Sequence, residues 1–215
     1  MDEVHETLHN ELNYLAMVNS LLENHVGRQH EECETVAGLG VQVGFDMGKS
    51  FPSLTSKEGT DIALVAKSAL AFMKANKKTL TDLRKLVTDQ PEGLDHFAQV
   101  KHDQVRYVQA FPRNGDLDIN LHIASAEIID EVPQLMAEMG MFAFMFAASC
   151  GYMAQNLSMQ FATVWARKDR LDEAKTLLNQ QVTPPAVISL SATAKLNAIT
   201  PKDIIVTPWA DWSPA

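Results

Sequence analysis

The chain has 215 residues, 46% of them hydrophobic, and a net charge of −9 from 18 Lys+Arg against 27 Asp+Glu. That length and composition exclude a marginal mini-protein, a disordered chain and a disulfide-stapled scaffold, and they require a packed core. The negative balance opposes binding to a phosphate backbone, and two cysteines, Cys33 and Cys150, provide no framework of bridges.

Over residues 3–26, Leu8, Leu12, Leu15, Val18, Leu22 and Val26 recur at steps of three and four, the spacing of one helical face. A second helix is expected over residues 30–51, where Gly40, Gly44 and Gly48 form a stripe at four-residue spacing. Each interior glycine costs about 1 kcal/mol relative to alanine, so the stripe points to close approach of another helix, in preference to a ligand. Pro52 ends this segment. Ser56, Lys57, Glu58 and Asp61 open a third helix, whose Ile62, Val65, Ala69, Phe72, Met73, Leu80, Leu83 and Leu86 make an apolar stripe up to Pro91. The densest basic run, Lys74, Lys77, Lys78, Arg84 and Lys85, lies on this stretch and reads as a solvated face.

Residues 90–121 are the least regular, with a short helix and then a strand expected around Phe97, Val100, Val105, Tyr107, Val108 and Phe111. Residues 111–116, Phe-Pro-Arg-Asn-Gly-Asp, carry the residue types that turns prefer. Helix is expected to resume near Ile123, with Asp130, Glu131, Val132 and Pro133 as a cap and first turn. Residues 139–166 hold no charged side chain; their apolar run breaks at Gln155 and Asn156, short of the roughly 20 residues a membrane span needs. They read as a central core helix covered by its neighbours. One more helix is expected over 169–181, burying Leu171, Ala174, Leu177 and Leu178.

The last stretch changes character, with prolines at 184, 185, 201, 208 and 214 and tryptophans at 209 and 212 around short β-prone pieces at 186–190 and 203–207. Proline fixes φ and removes a donor, so this stretch reads as an extended arm with at most edge strands. Trp209 and Trp212 are its expected docking residues, because tryptophan is enriched where interfaces are strongest. The expected organisation is a mainly α domain, a helical bundle around a buried charge-free helix over residues 1–181, followed by an arm over 182–215.

One motif carries chemistry. His5-Glu6-Thr7-Leu8-His9 matches H-E-x-x-H, in which two histidines on one helical face share a zinc ion and the glutamate serves a bound water as general base. The glycine of the longer metzincin pattern is absent, and no strand precedes the motif. The nearest further ligands are Glu31, Glu32 and Glu34; His30 and Glu34, at i and i+4, could face His5 and His9 across an antiparallel helix pair. A metal site of His5, His9 and Glu34, with zinc as its ion, is therefore one expectation; solvated acidic helix ends are the other. No phosphate-binding loop or dinucleotide fingerprint occurs, and neither cysteine has a nearby His-acid arrangement.

A helix with Leu8-His-Asn-Glu-Leu12, a second helix with Val36-Ala-Gly-Leu-Gly-Val-Gln-Val-Gly44, and a small-residue helix from Phe142 to Tyr152 together resemble the Bet3-like subunits of the TRAPP vesicle-tethering complexes. The likeness covers about half the chain and excludes the stretch after Asp169. It implies a subunit of a tethering complex. The residues themselves point first to a non-enzymatic assembly subunit, self-associating or part of a larger complex. Its arm docks on its own domain or, in the assembly reading, on a neighbouring subunit; Gly40, Gly44, Gly48, Trp209 and Trp212 serve as contact residues, and no cofactor is needed. A metal-binding helical protein or zinc-dependent hydrolase is the competing expectation. The acidic N-terminus lacks the features of a secretory or transit signal, so a cytoplasmic protein without nucleic-acid or membrane partners is expected.

Overall fold

The computed structural model describes residues 9–30, 33–54, 61–93, 96–182, 187–191 and 200–207. In chain order these form α1 (His9–Glu23), β1 (Val26–His30), β2 (Cys33–Asp46), α2 (Ile62–Ala75), α3 (Lys77–Asp89), β3 (Phe97–Gln99), β4 (Val105–Arg113) and β5 (Asp116–Glu127). Then follow α4 (Glu131–Cys150), β6 (Met153–Arg167), α5 (Leu171–Leu178), β7 (Val187–Leu190) and β8 (Ile204–Thr207). The fold is mixed α/β, which corrects the expected mainly α bundle. A six-stranded sheet in the order β1-β2-β6-β5-β4-β3 stands at its centre.

The correction has a physical cause in β2 and β6. Val43 and Phe45 are buried while Gln42 and Gly44 are exposed, and Leu157, Met159 and Phe161 are buried while Ser158 and Gln160 are only half-covered. That is a period of two, the signature of a half-buried strand. The glycine spacing of four is compatible with it as well as with a helix, because four is a multiple of both two residues and roughly one helical turn. In the charge-free stretch the helix is real only to Cys150. Gly151 adopts φ 82°, a left-handed C-cap that a side chain resists, and the chain turns back as β6.

β5, α4 and β6 form a crossover unit, and β5 and β6 are parallel; the other neighbouring strands of the large sheet pair antiparallel. The β4–β5 hairpin turns at Asn114 (φ 50°) and Gly115 (φ 93°), inside the expected turn over 111–116. α4 is the buried hub: Met136, Ala137, Met139, Met141, Phe142 and Met145 are fully covered, between the inner face of β5 and β6 on one side and α2 and α3 on the other. The expected core helix over 139–166 is thus a helix only to Cys150, packed between a sheet and two helices, with Glu131 and Gln134 of its first turn exposed. Gly140 lets Pro52 reach the helix backbone; a Cβ there would lie 2.5 Å from Pro52 Cγ.

The expected single helix over α2 and α3 is two helices that meet at Asn76, whose Nδ2 donates to Phe72 O and Lys101 O and whose Oδ1 accepts from Lys101 N. Asp61 caps α2 by accepting from Ala63 N and Leu64 N. β7 and β8, near the expected β-prone pieces, pair as a small antiparallel hairpin, and its Ile188 and Ile204 pack on the protein's own core. Among the described residues, no helix is long and apolar enough to cross a membrane.

Candidate functional site

The helices cover one face of the large sheet, and no described element packs on the other. Alternation assigns that open face its residues. Along β5, Leu117, Ile119, Leu121 and Ile123 point inward, so Asp118, Asn120, His122 and Ala124 point outward. The register then aligns two rows across the strands. Tyr107, His122, Gln160 and Gln42 are successive partners in one, and Phe97, Gln109, Asn120, Ser158 and Gly44 in the other. Hydrogen bonds run between and along these rows: Gln42 Nε2 donates to Ser158 Oγ of the other row at 3.0 Å, and Asn120 Nδ2 to Gln109 Oε1 of its own row at 3.0 Å. His122 Nε2 lies 2.9 Å from the same Gln109 oxygen and 3.4 Å from Asn120 Nδ2. The Tyr107 ring stands edge-on to His122, with centroids 6.3 Å apart.

Toward one end the face sinks into a cleft of about 440 Å³. Its floor is low because Gly40, Ala124 and Ala162, on neighbouring strands, have almost no side chain. Gly40 has φ 61°, a conformation that disfavours side chains, and it interrupts the β2–β6 register between Leu39 and Val41. On the β4 side the register shifts between Val105 and Tyr107, leaving Arg106 as an extra residue. A bulge of this kind places neighbouring side chains on one face, and both Arg106 and Tyr107 are exposed while Val105 and Val108 are buried. Arg106 Nη1 donates to His102 O at 3.3 Å. The cleft lining contains no Asp or Glu. It offers hydrogen-bond donors, amides and one cation, without a nucleophile held against a base.

A second cleft, of about 330 Å³, lies near the start of α4 and is acidic, with Asp103, Glu131 and Glu138 beside His102. Glu131, Gln134, Glu138, Gln104 and His102 are engaged in hydrogen bonds. Glu131 Oε2 accepts from Glu127 N at 2.7 Å and Gln104 Nε2 at 2.9 Å, and Gln134 Nε2 donates to Glu138 Oε1 at 2.9 Å. His102 Nδ1 accepts from Gln104 N and Val105 N, both at 3.1 Å, and burial holds its pKa below the usual histidine range against the opposing pull of Glu138 and Asp103. This arrangement holds the loop before β4 in place.

The residues expected to bind metal are not assembled by anything described. His5 and Glu6 lie outside the described residues, as do Glu31, Glu32 and the side chains of His9 and His30. Glu34 is exposed on β2, and its Oε2 accepts from Lys168 Nζ at 2.7 Å, which holds its carboxyl below the usual range. Among the described residues no group of three His, Cys, Asp or Glu is placed to hold a metal ion. Trp209 and Trp212 also lie outside the described residues. Gly40 and Gly44 sit on β2, where a Cβ would meet nothing within 4 Å; among the described residues no helix makes the close contact expected of them, and Gly40 lines the cleft. Gly48, in the turn after β2, faces the Gln155 side chain. The sequence reading missed Arg106, Tyr107, His122, Gln160 and Gln42 as a group. No protein-family model matches the chain, and no curated protein matches its sequence.

Proposed function

We propose that this protein is a non-enzymatic subunit of a protein assembly and that it docks a partner chain on the open face of its large sheet. The observation that supports this is the open face itself, a set of aligned outward side chains that no described element covers. Its chemistry selects the class of occupant. The amides and hydroxyls of Gln42, Asn120, Ser158 and Gln160 suit the backbone and side chains of another polypeptide better than lipid tails, and the net charge of −9 opposes nucleic acid. Tyr107, 41% exposed, and Phe97, 55% exposed, add the aromatic area on which protein interfaces draw.

A photo-crosslinking residue in place of Gln160 tests the reading. In the native cell, p-benzoylphenylalanine at position 160 is expected to give a discrete protein adduct, whereas the same residue in place of exposed Lys78 on α3 gives none. No adduct at 160, or the same adducts from both positions, would count against docking on this face.

A further inference from the structure

Resting on that reading of the open face, we propose that the cleft recognises a carboxylate, and that the partner presents it as an Asp or Glu side chain of an extended acidic segment to the Arg106 guanidinium. Charge complementarity is the first support. The net charge of −9 opposes an acidic partner at long range as it opposes nucleic acid, so the contact rests on local charge: the cleft lining carries Arg106 and no acidic side chain, and among the described residues Arg106 is in no ion pair. Other arginines differ: Arg113 pairs with Asp118 at 2.8 Å and Arg170 with Asp130 at 2.7 Å.

Donor geometry is the second support. Arg106 uses one N–H on His102 O, so the rest of its planar fork is free to take both oxygens of a carboxylate. The Gln160 amide and the Tyr107 hydroxyl lie in the same lining, and neither has a hydrogen-bonding partner among the described residues. A single cation flanked by neutral donors matches a monoanion; a phosphate dianion would call for more positive charge. The floor of Gly40, Ala124 and Ala162 lets an extended backbone lie close to the sheet, with its carboxylate directed toward β4.

The test titrates isotopically labelled protein with the peptide acetyl-Glu-Val-Glu-Val-Glu-amide and follows side-chain resonances by NMR. Saturable shifts are expected at Arg106 Nε and at the side-chain amides of Gln42 and Gln160, and none with the peptide in which glutamine replaces glutamate. Arg106→Gln, at an exposed position, keeps the fold and should weaken binding about tenfold or more, with Arg106→Lys intermediate because it keeps the charge without the fork. Unchanged affinity in Arg106→Gln, equal binding of the glutamine peptide, or inorganic phosphate acting on the same resonances at lower concentration would overturn the inference. Crosslinking from position 160 separates the two readings. An adduct undiminished by Arg106→Gln overturns carboxylate recognition while docking stands; Arg106-dependent peptide binding without any adduct overturns the docking reading and leaves the carboxylate site standing.

Discussion

Gly140 is the residue on which the packing of the helical layer depends most sharply. It lies in the middle of α4, where glycine costs about 1 kcal/mol relative to alanine in an exposed helix, so propensity alone would favour replacing it. Packing reverses that sign. A Cβ would lie 2.5 Å from Pro52 Cγ and 2.9 Å from Pro52 Cδ, distances that real contacts do not reach, and a proline ring has little freedom to retreat. Gly140→Ala is therefore expected to destabilise the protein by about 1–3 kcal/mol, the usual range for overpacking, read as a lower urea midpoint. Adding Pro52→Ala removes the two clashing ring atoms, so the double variant should recover part of the loss. Simple additivity of the two substitutions would show that the contact is not the cause.

At the scale of elements, the junction between α1 and the end of β2 is fixed by one buried asparagine. Asn10, 1% exposed, accepts from Asp46 N at 2.7 Å and donates to Asp46 O at 2.9 Å and Ser50 O at 2.5 Å. Asn13 adds a bond from Nδ2 to Gly44 O at 2.6 Å. β1 pairs only with residues 33–37 of β2, so beyond that point α1 stands where a further strand would, and its asparagines satisfy backbone groups of the sheet edge. Asn10→Ala leaves those groups without their partner and should cost about 1–3 kcal/mol, with faster hydrogen exchange at the Asp46 amide than at buried amides of β5. Equal acceleration everywhere would mean that only global stability had changed. The same elements show what the sequence could disclose. α1, the start of α4 after Asp130, the turn at Asn114-Gly115 and the β7–β8 pieces were legible because each rests on local chemistry: periodicity, helix-start residues or turn residues. β2 and β6 were not, because their small and uncharged outward residues blur the contrast that separates period two from period 3.6. The strict alternation of Leu117, Ile119, Leu121 and Ile123 with Asp118, Asn120 and His122 was the available signal for the sheet. Once strands replace helices, Gln42, Gln160 and His122 fall into one row. Arg106 joins them only through a bulge that local sequence does not mark.

At the scale of the whole molecule, the described elements lie on one face of the large sheet and none of them lies on the other. The inner face carries α4, which is too apolar to meet water on its remaining side, so α2 and α3 form a further layer over it. The β7–β8 hairpin extends that cover: Ile188 and Ile204 pack on the core, and the 3-10 turn at Pro201–Asp203 touches α2. The C-terminal stretch therefore docks at least in part on its own domain and acts as its last layer. Removing residues 183–215 withdraws two partly buried isoleucines from the core, and half-burial of two such side chains is worth about 2 kcal/mol. In a domain of this size 1 kcal/mol shifts Tm by about 2–4 °C, so the truncated chain should melt about 4–8 °C lower. Its large sheet keeps all its strands, so far-ultraviolet circular dichroism should change little. An unchanged Tm would separate the hairpin energetically from the domain and free the whole stretch for contact with another chain, whereas complete loss of folding would make it part of the core.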